Sequence, residues 1–156
     1  MYLATGATKD KDAEEALKRA IAADPRYADA LSNLGYLLFR QRRDAEAADL
    51  FARAAALSPE DPDLWRNLGS ALYSATGDRE RARSAYEKAA SLYEGRRKVN
   101  PTDSDCIVQL AACYRALGRT AEARVLLSEA LERRLDGQYL ALAASVYEEL
   151  GDRAAA

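Results

Sequence analysis

The residues best suited to chemistry in this chain are two cysteines and a few carboxylates. The chain contains no histidine, so the commonest general base and the commonest neutral metal ligand are both missing. Cys106 and Cys113 are seven residues apart, so on one helix they share a face but lie about 10 Å apart along its axis, too far for a disulfide. Because two thiols alone cannot complete a structural zinc site, both cysteines are predicted to be reduced packing residues.

The carboxylates do not form a catalytic pattern either. Glu14-Glu15 and Glu148-Glu149 are adjacent in sequence, so on a helix the side chains of each pair diverge. The sequence has no phosphate-binding glycine-rich loop, no nucleophile paired with a histidine and no zinc-ligand spacing. We therefore predict that the chain is not an enzyme and that it needs no metal or cofactor.

Composition and charge limit the classes of partner. The chain has 156 residues, of which 49% are hydrophobic and 31% charged, and its net charge is −2. This balance predicts a folded domain that binds no nucleic acid and makes no membrane contact. No apolar run approaches the ~20 residues of a membrane helix, and the N-terminal segment lacks the pattern of a secretory signal. This segment by itself is expected to lie in the cytoplasm. An extracytoplasmic location stays open if the segment belongs to a larger protein that is anchored in a membrane.

Apolar and small residues recur with a period of 34. The matched pairs are Pro25 and Pro59, Leu34 and Leu68, and Gly35 and Gly69. Leu31, Leu34, Gly35 and Leu38 fall at i, i+3, i+4 and i+7, a spacing that predicts one face of a helix. A second helix is predicted after a polar turn, and Pro59 is expected to end it. The repeating element is therefore a pair of helices.

The second unit carries the most informative motif. Its pattern is Trp65, Leu68, Gly69, Leu72, then Ala82, Tyr86, Ala89, then Pro101. This resembles the tetratricopeptide repeat (TPR) family, with its pattern W-x2-L-G-x2-Y, A-x3-F-x2-A and P. The resemblance implies an all-α fold: a right-handed solenoid of antiparallel helix pairs, an α-α superhelix, that serves as a protein-binding scaffold. We predict one TPR domain over 1–156, with a half-repeat at 1–27, repeats at 28–61, 62–103 and 104–136, and a terminal half-repeat at 137–156.

Helix ends follow from capping residues. Asp61, Asp78 and Thr120 are predicted N-caps, and Gly77, Gly118 and Gly151 are predicted to end first helices. Tyr2 and Gly6 match Tyr73 and Gly77, which predicts that the chain begins near the end of a first helix. Twelve residues separate Ala89 from Pro101, against five from Ala54 to Pro59. This seven-residue insert predicts a second helix extended by about two turns, with Gly95 as its weak point.

The stretch that contains the insert carries a finer resemblance. LWRNLGSALYSATGDRERARSAYEKAASLYEGRRKVNP is similar to units in the C-terminal TPR arrays of bacterial serine/threonine kinases and winged-helix transcriptional regulators. The resemblance implies a sensory or docking module of a larger bacterial signalling or regulatory protein.

The family resemblance also implies a concave groove, lined by first helices, that holds a peptide or a helical partner segment. The residues predicted to line it are Tyr36, Phe39, Arg40, Arg66, Tyr73, Val108 and Arg115. The alternative is that they are ordinary solvated side chains. Some family members grip a chaperone's C-terminal carboxylates with a clamp of Lys, Asn and Arg residues, and only Asn67 matches that clamp here. The protein or peptide partner is therefore expected to be of another kind.

Two further patterns have alternative interpretations. Asp29, Asp63 and Asp105 recur in phase, which suggests a cation site, but a carboxylate in the first turn of a helix is also favoured by the helix dipole. The basic run Arg96–Lys98 either complements a helix C-terminus or forms a docking site on the protruding edge.

A structural role, in which half-repeats stack to form a homo-oligomer, is the alternative to partner binding.

Overall fold

The computed structural model of the chain describes residues 4–76 and 78–132. In these residues the chain forms seven α-helices and no strand, which confirms the predicted all-α fold class. The helices are α1 (Ala4–Ala23), α2 (Ala28–Arg40), α3 (Asp44–Leu57), α4 (Pro62–Thr76), α5 (Arg79–Val99), α6 (Ser104–Ala116) and α7 (Thr120–Glu132). Among the described helices, none combines the length and the hydrophobicity that crossing a membrane requires.

The chain divides into two compact units, Met1–Ala85 and Tyr86–Ala156. Unit 1 contains α1 to α4 and the start of α5, and unit 2 contains the rest of α5 with α6 and α7. First helices α2, α4 and α6 begin at Ala28, Pro62 and Ser104. These are the three residues at which the sequence pattern starts its units.

Unit 1 is built from helices that pack against their neighbours in chain order. α1 contacts α2, α2 contacts α3, and α3 contacts α4. Only residues 41–43 separate α2 from α3, so these two helices pack as an antiparallel hairpin. The core between the helices contains Leu31 from α2, Ala54 and Ala55 from α3, and Leu64 from α4. Stacking thus buries the apolar faces that the 34-residue period predicts.

Gly35 allows α2 and α3 to approach closely. A Cβ atom added at Gly35 would lie 3.0 Å from Cε1 and 3.1 Å from Cδ1 of Phe51. Phe51 is only 1% exposed, so its ring has little space in which to move. This contact gives the physical reason for the small residue at this position of the repeat.

Unit 2 has its own core, and both cysteines lie in it. Ile107, Leu110 and Leu127 are almost fully buried. Cys106 and Cys113 are buried and form no disulfide with each other, which confirms that they are packing residues. The Cys106 thiol donates a hydrogen bond to the Tyr93 carbonyl oxygen at 3.2 Å, and burial raises the pKa of this thiol.

Most of the predicted helix ends that can be compared are confirmed. Asp61 accepts a hydrogen bond from the Asp63 amide at 3.0 Å, and Asp78 accepts one from the Arg81 amide at 3.1 Å. Gly118 has φ +76°, the left-handed conformation expected where a first helix ends. Thr120 was predicted as an N-cap, but it is already the first residue of α7. Gly77, Gly151 and the half-repeat at 137–156 lie outside the described residues.

Two glycines lie inside helices. α1 is continuous through Gly6, so the prediction that a helix ends there is wrong. No proline follows Gly6 before Pro25, and one glycine costs a helix only about 1 kcal/mol relative to alanine. α5 has 21 residues and α3 has 14, which confirms the seven-residue extension. Gly95 lies within this extension and does not interrupt the helix.

Candidate partner-binding site

Five of the predicted groove residues lie on two helices of unit 1 that contact each other. Tyr36, Phe39 and Arg40 are on α2, and Arg66 and Tyr73 are on α4. We call this surface the α2/α4 face. The helix period separates this face from the core, since the α2 residues between Tyr36 and Phe39, which are Leu37 and Leu38, are buried.

Two tyrosines dominate the α2/α4 face. Tyr36 is 57% exposed and Tyr73 is 55% exposed, whereas Phe39 is half-buried between core and surface. The Arg79 guanidinium lies 6.0 Å from the centre of the Tyr73 ring, at the outer limit of a cation–π contact. Tyrosine combines a large apolar ring with a polar hydroxyl group, so both side chains can bury apolar area and form a hydrogen bond.

Arginines supply the positive charge of this face. Arg66 lies 3.5 Å from the Asp63 carboxylate, one turn earlier on α4. Arg40 is exposed and forms no ion pair within residues 4–76 and 78–132. An exposed guanidinium without a neighbouring carboxylate is suited to bind an acidic group of a partner.

The three aspartates that recur in phase have structural roles. Asp29, Asp63 and Asp105 each lie in the first turn of a helix, where the helix dipole favours a carboxylate. Asp63 pairs with Arg66, and Asp105 accepts a hydrogen bond from Gln109 at 3.2 Å. No group of three or more acidic or cysteine side chains could hold a metal ion in the part of the chain that the structure describes. The helix-dipole interpretation therefore suffices.

The other two predicted groove residues lie in unit 2. Arg115 is exposed in the last turn of α6. Val108 is only 2% exposed, so its side chain belongs to the core and is unavailable as a surface contact. Arg66, at the equivalent position of α4, carries a guanidinium that must reach water, whereas valine has no polar atom and gains free energy by burial.

Sequence reasoning missed a cleft in unit 2. Its lining side chains are Glu94, Arg97, Lys98, Pro101, Leu110, Tyr114 and Glu129. The basic run and the seven-residue insert indicated this region, but the contribution of α7 was invisible in the sequence. The Tyr114 hydroxyl group donates a hydrogen bond to Glu94 at 2.7 Å. Burial, together with this bond to a carboxylate, raises the pKa of Tyr114 to about 12.

Comparison with known families fits this helical arrangement. One family model, described as Tetratricopeptide repeat, matches residues 11–62 and 45–97. A second model with the same description matches residues 80–146. The chain belongs to the tetratricopeptide repeat family. The close contact of Gly35 with Phe51 is therefore the small-to-large packing contact of a TPR helix pair.

Solved TPR structures share the fold. The thermophilic TPR protein TTC0263 from Thermus thermophilus is 23% identical with a TM-score of 0.66, over 94% of this chain and 77% of that chain. MamA is 29% identical with a TM-score of 0.54, over 79% of this chain, which spans only 63% of that MamA chain. The first TPR of Spaghetti (RPAP3), solved with the HSP90 peptide SRMEEVD bound, is 22% identical with a TM-score of 0.56, over 85% of this chain and 97% of that chain. No curated protein sequence matches the chain significantly.

Proposed function

We propose that this chain is a protein-interaction module that binds a peptide or a helical partner segment on the α2/α4 face. The observation that carries the proposal is the pair of tyrosines, each more than half exposed, beside the exposed guanidinium of Arg40. Tyrosine and arginine are among the residues that contribute most to binding energy at protein interfaces. The preformed helical scaffold also lowers the entropic cost of binding, because these side chains project from rigid elements.

Family membership supports a protein or peptide partner. TPR proteins are generally interaction scaffolds rather than enzymes, and RPAP3 has been solved with a bound peptide. This chain lacks the Lys, Asn and Arg residues of the chaperone clamp, since only Asn67 matches them. A partner that buries apolar area on Tyr36 and Tyr73 and places a carboxylate near Arg40 fits the face better than a chaperone C-terminus.

The kind of larger protein to which this module belongs is a separate part of the proposal. The resemblance of residues 64–101 to units of bacterial kinase and regulator arrays supports a role in a larger signalling or regulatory protein. Such a module would select a partner and leave chemistry to another domain. In unit 2, taken by itself, the exposed Arg115 stays a candidate contact and the buried Val108 does not.

The test is a peptide selection followed by alanine substitution. Peptides are selected on the full chain from a random displayed library, and their dissociation constants are measured by calorimetry. The double variant Tyr36→Ala/Tyr73→Ala should weaken binding at least about 30-fold, which corresponds to roughly 2 kcal/mol lost at an interface anchor. Circular dichroism should show unchanged helix content, because both side chains are largely exposed.

Tyr27→Ala is the matched control. Tyr27 is 48% exposed but precedes α2 at its N-cap position, outside the α2/α4 face. This variant should keep wild-type affinity. Equal affinity of the double variant and the wild type for every selected peptide would refute binding on this face.

A further inference from the structure

α1 carries the residue pattern of a second helix. Three buried residues of α3 form the A-x3-F-x2-A motif of a second helix, and each has a counterpart 34 residues earlier in α1. The pairs are Ala13 and Ala47, Leu17 and Phe51, and Ala20 and Ala54. α1 also contacts the helix that follows it, α2, as α3 contacts α4. By both criteria α1 corresponds to α3, so it is the second helix of the half-repeat that precedes α2.

The motif residues are buried on the other second helices but open on α1. In α3, where α2 packs against this helix, all three are at most 1% exposed. In α7 the corresponding Ala123 and Leu127 are fully buried. In α1, by contrast, Ala13 is exposed, and Leu17 and Ala20 are only half-buried. We call these three residues the α1 face. Since apolar side chains gain free energy when they leave water, the α1 face is suited to receive a first helix.

Side-chain size indicates which residue such a helix needs opposite Leu17. In unit 1 the position opposite Phe51 is occupied by Gly35, where even a Cβ atom would lie 3.0 Å from the ring. In unit 2 the two equivalent positions are occupied by Ala111 and Leu127, and both side chains are fully buried. The chain thus combines glycine with phenylalanine and alanine with leucine, because a larger ring leaves less space in a closely packed core. The residue that fits opposite Leu17 is therefore alanine.

Residues 137–151 carry a first-helix pattern with alanine at this position. Four of them lie 33 residues after the apolar face of α6, and the pairs are Ile107 and Leu140, Leu110 and Ala143, Ala111 and Ala144, and Tyr114 and Tyr147. This segment lies outside the residues that the structure describes, and its sequence predicts a first helix. Ala144 corresponds to Ala111, the first-helix residue that is combined with a leucine. The chain's own sequence thus contains the partner that the α1 face requires.

We propose that the α1 face binds residues 137–151 of a second copy of this chain, so that the two copies complete one helix pair. Ala144 of the second copy lies opposite Leu17. Because the two contacting surfaces differ, the contact is heterologous, and each copy keeps one surface of each kind for a further copy. The assembly is therefore head-to-tail and grows beyond a dimer as the concentration rises. It involves no residue of the α2/α4 face, so it stands or falls independently of partner binding there.

Sedimentation velocity of the full chain tests this assembly. A contact between two helices is small for a protein interface, so association should become visible between about 10 μM and about 500 μM. Ala13→Arg places a long charged side chain on the α1 face and should keep the chain monomeric over this range. Ala144→Arg should do the same from the other surface. Ala22→Arg is the matched control and should associate like the wild type, because Ala22 is exposed on the opposite side of α1.

A mixture of the two blocked variants separates a head-to-tail contact from a symmetric one. Ala13→Arg retains an intact 137–151 segment, and Ala144→Arg retains an intact α1 face. The mixture should therefore form a 1:1 complex, although neither variant associates by itself, and it should stop at the dimer because both remaining surfaces are blocked. Tyr36→Ala/Tyr73→Ala should associate like the wild type, which separates this contact from the α2/α4 face.

A synthetic peptide measures the same contact without a variant in the C-terminal segment of the chain. A fluorescein-labelled peptide of residues 137–156 should bind the full chain in fluorescence polarisation. Ala13→Arg in the chain, or Ala144→Arg in the peptide, should weaken this binding at least about tenfold. Circular dichroism should show unchanged helix content in the Ala13→Arg chain, because Ala13 is exposed.

Three outcomes would overturn the proposal. The first is a chain that stays monomeric over the whole concentration range and does not bind the peptide. The second is self-association that Ala13→Arg leaves intact, since the α1 face would then not take part. The third is self-association that Ala13→Arg abolishes and Ala144→Arg leaves intact, because this pattern would assign the α1 face to a symmetric contact between two copies of α1.

Discussion

At the scale of single residues, Gly35 in α2 and Gly95 in α5 have different structural roles. A Cβ atom at Gly35 would meet the buried Phe51 ring at 3.0 Å, whereas a Cβ atom at Gly95 would meet no heavy atom within 4 Å. Gly35 thus permits a close approach between α2 and α3. Gly95 only lowers the helix propensity of the α5 extension.

Alanine substitution at these two glycines gives a paired prediction. Both variants gain about 1 kcal/mol of helix propensity, but Gly35→Ala also overpacks the Phe51 contact, which costs about 1–3 kcal/mol. Gly95→Ala should therefore raise the free energy of unfolding, and Gly35→Ala should be less stable than Gly95→Ala by about 1–3 kcal/mol. Urea denaturation of the full chain measures both values. Equal stability of the two variants would mean that Phe51 can move aside freely.

Residue types predicted the core better than they predicted the surface. The positions Leu31, Leu34 and Phe51 are buried as the repeat pattern requires, because every unit must bury the same face. Val108 is a predicted groove residue only because it occupies the same repeat position as Arg66. Its side chain is apolar and lies in the core. The position of a residue within the repeat predicts where it lies on its helix. The packing around that residue decides whether its side chain reaches water.

At the scale of elements, Tyr114 links α6 to α5. Its hydroxyl group donates a hydrogen bond to Glu94, and burial with this bond raises its pKa to about 12, from the usual value of about 10. A proton held more tightly in the folded state stabilises that state. This contribution is fully present below about pH 10 and is lost as the pH rises towards about 12.

Alkaline unfolding tests this link between the helices. The wild-type chain should lose free energy of unfolding between about pH 9 and about pH 11, and Tyr114→Phe should lose less of it, because phenylalanine has no proton to release. Tyr36→Phe, on the exposed α2/α4 face, should lose as much as the wild type. Urea denaturation at the two pH values measures the difference. Identical pH dependence in wild type and Tyr114→Phe would show that the hydrogen bond does not matter for stability.

Helix lengths were more predictable than helix ends. The count of residues between Ala89 and Pro101 predicted the longer α5, because a proline limits where a helix can continue. The end predicted at Gly6 was wrong, since α1 continues through it. One glycine is a weak signal, because it costs a helix only about 1 kcal/mol relative to alanine, so the sequence pattern alone did not place that boundary.

At the scale of the whole molecule, the 34-residue period accounts for the family and for the order of the helices. The matches to the Tetratricopeptide repeat models span residues 11–146 between them, so the periodicity extends through most of the chain. The period does not encode the cleft in unit 2, whose lining residues come from α5, α6 and α7. A partner also cannot be deduced from a period, because exposed positions vary independently of the buried pattern.

The central claim is that a partner peptide binds on the α2/α4 face. Amide NMR of the isotope-labelled full chain, titrated with a peptide selected on it, tests this claim most directly. We predict that the largest shift changes will fall in α2 near Tyr36 and Arg40 and in α4 near Arg66 and Tyr73. Shift changes confined to α3 or α7, with α2 and α4 unaffected, would contradict it.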